Sequence, residues 1–324
     1  MTSKTADIAI LLAGKSHPQV SERVGREFRA IELGKGGLAA LDEATRRAIR
    51  GAAVMARVDA AFVDALPALE IVSSFGVGYD HVDASYCASR NVMVTNTPDV
   101  LSEEVADTAV GLLINTVREL PRAENWLREG RWKNDGPYPL APATLRGRHA
   151  GIFGLGRIGL AIARRLEAMG LAVSYHNRRP VEGVGYTYHG SLKEMAAAVD
   201  TLISVVPGSA ATNKAVNANI LKALGPDGVF INIGRGSTVD EPALIEALST
   251  GIIRAAGLDV FADEPNVPEA LLGLPNACLL PHVGSSTQHT RRAMADLVVD
   301  NLVSWFDNGT VLTPVPETAG RKRQ

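Results

Sequence analysis

Short apolar runs alternate along the chain with longer segments in which apolar and polar residues recur at helical spacing. A strand that is buried on both faces of a sheet is apolar throughout, and a helix between two such strands lets the second run parallel to the first. The pattern therefore predicts parallel sheets with helices on both faces. The predicted strands cover residues 8–12, 52–55, 71–74, 92–96, 150–154, 172–176, 201–205, 229–233, 255–260 and 277–281.

Interruptions of this alternation divide the chain into two predicted domains. Thr97-Pro98-Asp99 ends the first strand series, and the Pro/Gly-rich residues 130–148 predict an irregular arm. A long last helix is expected to return to the first sheet. We expect one domain to combine residues 1–99 and 287–324 and the other to span residues 100–286. The predicted helices include residues 43–50, 103–118 and 287–307.

Length and composition exclude several classes of protein. The 324 residues suit two domains better than one, and a net charge of −2 implies no broad surface for a nucleic acid. Cys87 and Cys278 lack metal-ligand spacing, which predicts neither a metal site nor a disulfide framework and fits a reducing compartment. Residues 8–12 are too short for a signal peptide, and polar side chains interrupt the apolar residues 105–117. We expect a cytoplasmic protein without a membrane partner.

A glycine-rich motif, G-x-G-x-x-G, directly follows the first strand of the second series. Gly154 permits a tight turn, Gly156 lets a pyrophosphate approach the backbone, and Gly159 lets a helix pack closely on the strand. The N–H groups of Arg157 and Ile158 then face the phosphates. A glycine-rich turn without a ligand is the alternative, but the flanking strand and helix favour a Rossmann-like dinucleotide site. The motif comprises Gly154, Leu155, Gly156, Arg157, Ile158 and Gly159.

The turn after the next strand predicts which dinucleotide binds. A site that prefers NAD usually carries an acidic residue there, which accepts hydrogen bonds from the ribose hydroxyls. This chain has Asn177, Arg178 and Arg179 instead, and the two guanidinium groups suit a 2′-phosphate. We therefore expect a preference for NADP(H), with NAD(H) possible. A solvated basic turn is the alternative interpretation.

Three segments at predicted strand ends carry residues that suit the reduction of a 2-keto acid. Arg235, flanked by two glycines, offers a planar cation for the carboxylate and the carbonyl. His282 is the candidate proton donor, and Glu264 is the candidate carboxylate that orients it. A surface arginine, a loop acid and a loop histidine are the alternatives. Gly76-Val77-Gly78 reads either as a loop that presents N–H donors or as a simple turn.

These segments together resemble the D-isomer-specific 2-hydroxyacid dehydrogenase family, and most closely its glyoxylate/hydroxypyruvate reductase branch, which includes hydroxyphenylpyruvate reductases. The resemblance extends from about residue 52 to residue 314. Besides the motifs above, it rests on residues 71–80, 94–100, 105–108, 232–236, 263–265 and 281–284.

The resemblance implies an α/β fold with two Rossmann-like, doubly wound parallel-sheet domains and an interdomain cleft for the substrate. It implies the same roles for Arg235, Glu264 and His282, substrate binding by the N–H groups of Val77 and Gly78, and a homodimer that exchanges the 130–148 arm. The expected cofactor contacts beyond the glycine motif and the basic turn are Thr108, Val206, Pro207, Thr212, Ile233, Gly234, Arg235, Asp259, His282 and Gly284.

The expected activity is NADPH-dependent reduction of small 2-keto acids, glyoxylate and hydroxypyruvate first, to D-2-hydroxy acids by hydride transfer. Some relatives place a tryptophan of the partner's arm in the substrate pocket. In this chain the corresponding stretch of the arm has Tyr138, and Trp132 lies too close to the beginning of the arm to match that tryptophan. Arg57 is either a further substrate contact or a solvent-facing side chain. The alternatives are a 2-ketogluconate, hydroxyphenylpyruvate or phosphoglycerate type of dehydrogenase, the last without room here for a C-terminal regulatory domain, and a non-catalytic dinucleotide-sensing protein of the corepressor kind.

Overall fold

The computed structural model describes residues 5–323 and has parallel strands with helices between them. The chain divides into two compact units. The first unit comprises the residues up to Leu101 together with those from Thr287 onward, and the second is Ser102–Ser286. The first boundary predicted from the sequence lies slightly earlier, after residue 99. The prediction of two parallel-sheet α/β domains is confirmed.

In the first unit the strand order is β2-β1-β3-β4-β5, and all neighbouring strands are parallel. The strands are β1 (Ala9–Ala13), β2 (Arg29–Glu32), β3 (Ile49–Val54), β4 (Ile71–Ser74) and β5 (Met93–Thr95). The helices are α1 (Pro18–Glu27), α2 (Glu43–Ala48), α3 (Ala60–Asp64), α4 (Ala84–Ser89) and, from the end of the chain, α13 (Gln288–Asn308).

In the second unit the order is β12-β11-β10-β9-β6-β7-β8, again with parallel neighbours. The strands are β6 (His149–Phe153), β7 (Ala172–His176), β8 (Thr187–Tyr188), β9 (Thr201–Ser204), β10 (Val229–Asn232), β11 (Ala255–Leu258) and β12 (Ala277–Leu279). The helices are α5 (Ser102–Arg118), α6 (Leu120–Arg128), α7 (Arg131–Asn134), α8 (Arg157–Ala168), α9 (Leu192–Ala198), α10 (Ala218–Leu224), α11 (Glu241–Ser249) and α12 (Glu269–Leu272).

Both sheets bury apolar side chains on their two faces, as the continuous apolar runs predicted. Leu11 of β1 belongs to the same cluster of buried apolar residues as Phe62 of α3. The preceding residue, Ile10, lies on the opposite face of the sheet, near Leu302 of α13. In the second unit Gly257 of β11 lets α5 approach closely, because a Cβ there would lie 2.5 Å from Thr116 Oγ1. Close packing of this kind fixes the ends of the strands, where the candidate site lies.

The structure differs from the predicted elements mainly at exposed positions. Strands β2 and β8 are edge strands; β2 exposes three of its four residues and β8 one of its two, so they lack the apolar run by which the other strands were predicted. The helix predicted for residues 43–50 ends at Ala48, because Ile49 already belongs to β3. The expected irregular arm holds the single-turn helix α7, and its remaining residues 135–148 form neither helix nor strand. Within residues 5–323, no helix is both long and apolar enough to cross a bilayer.

Candidate active site at the strand ends of the second unit

The glycine motif forms the turn between β6 and α8. Gly154 has φ +105°, and a Cβ there would lie 2.9 Å from Val206 Cγ1, so both conformation and space favour glycine. At Gly159 a Cβ would lie 2.3 Å from the Gly154 carbonyl oxygen, which explains how α8 packs so closely on the turn. Gly156 has no atom within 4 Å of its absent Cβ and offers no side-chain cap to α8. The turn therefore leaves open space in front of an uncapped helix N-terminus, which suits a phosphate group.

The basic turn after β7 lies beside this motif. Asn177 Oδ1 accepts a hydrogen bond of 2.7 Å from the Leu155 backbone N–H, so this side chain secures the glycine turn. Arg178 and Arg179 are exposed, and within the described chain neither guanidinium has an ion-pair or hydrogen-bond partner. Two unpaired cations beside a dinucleotide-type turn are available to an anionic ligand.

The loop after β10 presents Arg235. Asn232 shapes it, since its Oδ1 accepts from the Gly234 N–H (3.1 Å) and its Nδ2 donates to the Arg235 carbonyl oxygen (3.0 Å). Gly236 lies directly against the following strand's loop, because a Cβ there would be 1.9 Å from the Phe261 carbonyl carbon. The half-buried Arg235 guanidinium donates to the Gly234 carbonyl oxygen at 2.8 Å. The two glycines beside Arg235 thus allow the loop to pack tightly on its neighbours.

Glu264 and His282 form the hydrogen-bonded pair that was predicted from the sequence. Glu264 Oε2 lies 2.7 Å from His282 Nδ1, and Oε1 accepts from the Phe261 backbone N–H at 3.0 Å. Because a carboxylate only accepts, Nδ1 carries a proton, and Nε2 on the other side of the ring faces away from Glu264. His282 has φ +52°, an uncommon conformation for a residue with a Cβ. The carboxylate therefore orients an imidazole whose second nitrogen is left for another partner.

The charge on Glu264 is favoured by its surroundings. Partial burial alone would raise the pKa of this carboxyl group, but hydrogen bonds from His282 and the Phe261 N–H, with the charges of His282 and Arg235, outweigh it and lower the pKa. Arg235 is the last of these influences, and its positive charge favours the ionised form of the carboxyl group that binds His282.

Asp259 holds the loop of His282 through hydrogen bonds to its backbone. Its carboxylate is only 1% exposed and accepts hydrogen bonds from the N–H groups of Val283 (2.7 Å) and Gly284 (2.8 Å). Burial raises the pKa of Asp259, although these two N–H groups and the His282 charge act in the opposite direction. Thr108 Oγ1 lies 3.2 Å from the Gly284 carbonyl oxygen and 3.1 Å from that of Glu104, so its one hydroxyl proton is shared between these two acceptors. Asp259 and Thr108, predicted as cofactor contacts, thus also hold the loop in place.

The other predicted cofactor residues lie along the same edge of the sheet. Val206 and Ile233 are largely buried at the ends of β9 and β10. Thr212 Oγ1 donates to the Pro207 carbonyl oxygen at 2.7 Å and closes an exposed turn. One support was missed: the nearly buried Glu241, whose Oε1 accepts from the Ala262 N–H at 2.7 Å. Its position at the start of α11 gave no local signal for this contact.

In the first unit, Val77 and Gly78 follow β4 in a half-buried loop, and neither N–H has an acceptor among the described residues. Arg57 is 83% exposed in its side chain and pairs with Asp59 at 3.5 Å, so the solvent-facing interpretation of Arg57 is the one the structure supports. Within residues 5–323 no group of three or more His, Cys, Asp or Glu side chains is arranged to hold a metal ion.

Comparison with known proteins assigns the chain to a family. The D-isomer specific 2-hydroxyacid dehydrogenase, NAD binding domain family matches residues 110–284. Hydroxyphenylpyruvate reductase of Plectranthus scutellarioides is 50% identical over 260 residues, which cover 80% of this chain and 82% of that protein. Glyoxylate/hydroxypyruvate reductase A of Arabidopsis thaliana is 47% identical over 83% of this chain and 85% of its own length.

A solved structure is similar over almost the full length. It is the NADPH-dependent glyoxylate/hydroxypyruvate reductase of Sinorhizobium meliloti in complex with NADP and malonate, with a TM-score of 0.96 and 59% sequence identity over 98% of this chain and 100% of that one. The resemblance inferred from the motifs is confirmed, and the chain belongs to the D-isomer-specific 2-hydroxyacid dehydrogenase family.

Proposed function

We propose that this protein is an NADP(H)-dependent reductase that converts glyoxylate and hydroxypyruvate to 2-hydroxy acids, of D configuration where the product is chiral. The observation that carries the proposal is the 2.7 Å contact between Glu264 and His282, close to Arg235 and on the same sheet edge as the open glycine turn. The names of the relatives from Arabidopsis and Sinorhizobium support the same substrates and cofactor.

The cofactor proposal rests on two features of the second unit. Gly156 leaves space in front of the uncapped N-terminus of α8, where the pyrophosphate would be held by backbone N–H groups. Arg178 and Arg179 are exposed and unpaired within the described residues, so they would bind the 2′-phosphate that distinguishes NADP(H) from NAD(H). When bound, the reduced cofactor supplies a hydride to the keto carbon.

The chain's own residues would hold the acid and move one proton. The Arg235 guanidinium and the N–H groups of Val77 and Gly78 are the proposed donors to the substrate carboxylate. His282 Nε2 donates a proton to the keto oxygen as that oxygen gains negative charge, and Glu264 holds the ring in position through its contact with Nδ1. The neutral His282 left behind can take a new proton from water, since its side chain is 47% exposed.

A substrate panel tests this proposal. NADPH oxidation is measured with glyoxylate, hydroxypyruvate, pyruvate, 2-ketogluconate and hydroxyphenylpyruvate, and we expect the first two to have the highest kcat/KM. His282→Gln is expected to lower kcat by about 100-fold or more, because general acid catalysis contributes roughly that much, while the Kd for NADPH changes far less than kcat. Cofactor binding without turnover of any keto acid would instead favour a dinucleotide-sensing protein. Unchanged kcat in the variant would refute the role of His282.

Two of the panel substrates represent a second candidate function. A 2-ketogluconate reductase of Gluconobacter oxydans is 41% identical over 80% of this chain, and the Plectranthus relative is a hydroxyphenylpyruvate reductase. A kcat/KM higher with either of their substrates than with glyoxylate would move the assignment to that type of reductase.

We further propose a cytoplasmic homodimer in which the 130–148 arm takes part. Helix α6 buries none of its residues within the described chain, and large apolar side chains are exposed on it and on the arm: Leu120, Leu127, Trp132 and Leu140, the last 97% exposed. A second copy would cover such a patch. Sedimentation at micromolar concentration is expected to give a dimer that Leu127→Glu weakens, whereas Leu272→Glu, at a 60% exposed leucine of α12, does not. A wild-type monomer would refute the dimer.

A further inference from the structure

The Gly76–Gly78 loop is held from one side by the two residues that follow β5. Asn96 Nδ2 donates a 2.8 Å hydrogen bond to the Val77 carbonyl oxygen. The Thr97 N–H donates to the Gly76 carbonyl oxygen at 2.9 Å, and Thr97 Oγ1 accepts from the Gly76 N–H at 3.1 Å. The carbonyl groups of Gly76 and Val77 are therefore both bound by neighbouring residues of one segment.

This arrangement determines where the two N–H groups point. The Gly76–Val77 and Val77–Gly78 peptide bonds are trans, so in each planar unit the N–H is directed opposite to the C=O. With Gly76 O turned to Thr97 and Val77 O turned to Asn96, the N–H groups of Val77 and Gly78 are directed away from that segment. Successive N–H groups on one side of a loop form a concave site for an anion.

The backbone of Asn96 is itself fixed by a partly buried network of hydrogen bonds that reaches α13. Its N–H donates to the Thr313 carbonyl oxygen at 3.3 Å, and its own carbonyl oxygen accepts from Thr313 Oγ1 at 2.7 Å. Thr313 Oγ1 in turn accepts at 2.8 Å from the fully buried Asn301, whose Oδ1 accepts from the N–H groups of Leu312 and Thr313. These contacts anchor the backbone of Asn96 at both its N–H and its carbonyl oxygen, so its side chain projects from a fixed position. The 2.8 Å hydrogen bond of that side chain to the Val77 carbonyl oxygen then sets the plane of the Val77–Gly78 peptide.

We infer that Asn96 is a positioning residue for the carboxylate of the substrate: it does not touch the acid but holds the Val77–Gly78 peptide so that the Gly78 N–H faces it. The inference rests on the proposed function and adds a residue to it. A hydrogen bond accepted by a peptide carbonyl also polarises the attached N–H, so the loop becomes a better donor as well as an oriented one.

The test compares Asn96→Ala and Asn96→Asp with the wild type. For Asn96→Ala we expect a rise of about 5- to 10-fold in the glyoxylate KM and in the inhibition constant of oxamate, a non-reducible analogue, which is the scale of one lost hydrogen bond. The change in kcat should stay within about threefold, and the Kd for NADPH should not change, because neither depends on this peptide. Oxamate constants within about twofold of wild type would overturn the inference.

Asn96→Asp has nearly the same shape but, when ionised, turns an acceptor toward the Val77 carbonyl. We expect its oxamate affinity to be weaker than that of Asn96→Ala near neutral pH. As the pH falls to about 4, near the ordinary pKa of an Asp carboxyl, the affinity should recover toward that of the wild type measured at the same pH, because about half of the carboxyl is then protonated and can donate again. If Asn96→Ala fails to fold, the nearly isosteric Asn96→Asp still tests whether the Asn96 amide orients the Val77–Gly78 peptide. Absence of this pH-dependent recovery would count against the inference.

Tyr79→Phe is the matched control. It removes an adjacent hydroxyl that bonds to Glu317, at 3.1 Å, and leaves the loop peptides untouched, so its KM and oxamate constants should equal those of the wild type. The two proposals fail in different ways. A wild-type enzyme that reduces no keto acid refutes the proposed function, whereas normal wild-type turnover with unaffected Asn96 variants refutes only the role of Asn96.

Discussion

A methyl group at Gly236 is expected to disable the enzyme from a position that touches no reactant. The Cβ of Gly236→Ala would lie 1.9 Å from the Phe261 carbonyl carbon, 2.0 Å from its oxygen and 2.4 Å from the Ala262 nitrogen. Carbon atoms in contact are about 3.5–4.0 Å apart, so the two backbone segments must separate by roughly 1.5 Å or more. All three of these atoms belong to the backbone, so no flexible side chain can rotate away to relieve the clash.

The displaced segment is the one that holds Glu264. The Phe261 N–H binds Glu264 Oε1, and the Ala262 N–H binds Glu241, so a shift at residues 261–262 changes the position of the carboxylate that orients His282. Overpacking of this kind costs about 1–3 kcal/mol of folding stability. A misplacement of about 1 Å at a catalytic group costs on the order of 100-fold in rate. We therefore expect kcat to fall about 100-fold, which corresponds to about 2.7 kcal/mol of activation free energy, together with a stability loss of about 1–3 kcal/mol.

The assay measures kcat with glyoxylate, the Kd for NADPH and the free energy of unfolding in urea. Gly273→Ala is the control, because its Cβ would meet nothing closer than the Glu269 carbonyl oxygen at 3.6 Å, and we expect wild-type values for it. A Gly236→Ala enzyme with normal kcat and normal stability would refute the packing argument. A folded Gly236→Ala enzyme whose NADPH affinity is lost along with kcat would refute the view that the damage is confined to the Glu264–His282 pair.

Other charged side chains of the same unit give further expected outcomes. Combined Arg178→Ala and Arg179→Ala should raise the NADPH KM by about 10- to 100-fold and leave the NADH KM unchanged, since only the 2′-phosphate loses charge-assisted contacts; equal effects on both cofactors would exclude that role. Glu264→Gln, with Glu269→Gln as control, should lower Tm at neutral pH. The pKa of Glu264 is lower in the folded protein than the ordinary value for a Glu side chain. Its contribution to stability is therefore present above the ordinary pKa and is lost as the pH falls through the pKa of the folded state. The Tm difference between Glu264→Gln and the wild type should shrink between about pH 6 and pH 3, and a constant difference would contradict this expectation. Asp259→Asn should lose about 1–3 kcal/mol in urea unfolding, because one buried acceptor becomes a donor that faces an N–H group; no loss would mean that the loop tolerates the exchange.

The interior of both sheets was predictable because burial on two faces leaves a direct mark on the sequence. Strands β4 and β7 were predicted with the observed ends, and the long helix α5 begins one residue before its predicted start. The two edge strands with exposed residues, β2 and β8, leave no such mark, whereas the more buried edge strands β5 and β12 were predicted. The exposed β2 pairs with β1 through its backbone, and backbone pairing does not depend on which side chains are present.

Helix α6 was not predicted for a related reason. It buries no residue within the described chain, so its apolar side chains do not belong to the hydrophobic core of this unit. An amphipathic segment whose apolar residues find no cover in the same chain gives a weaker signal than a core helix, even though its pattern is regular. A single sequence gives no direct information about which other surface would pack against such a face.

The candidate site shows the same division between side-chain chemistry and spatial support. The contact between Glu264 and His282 was predictable because reduction of a keto acid requires a proton donor and a carboxylate that orients it, and the catalytic roles of these two residues and of Arg235 stay predictions. The contacts that hold them were not predictable, since Glu241 reaches Ala262 across 21 positions and no local pattern links the two. Residue type indicates what a group can do, whereas long-range packing decides which groups are held still.

The sheet order also predicts whether substitutions in the basic turn and at Glu264 have independent effects. The basic turn follows β7 and Glu264 lies beyond β11, which are four strand positions apart in the order β11-β10-β9-β6-β7. At about 4.8 Å for each position, the distance is roughly 19 Å, well beyond the 7–10 Å within which substitutions usually couple. The free-energy effects of the arginine substitutions and of Glu264→Gln on kcat/KM with NADPH should therefore add. The combined variant should show the product of the two separate fold-changes, and a departure of more than about threefold would mean that binding at the 2′-phosphate also adjusts the catalytic pair.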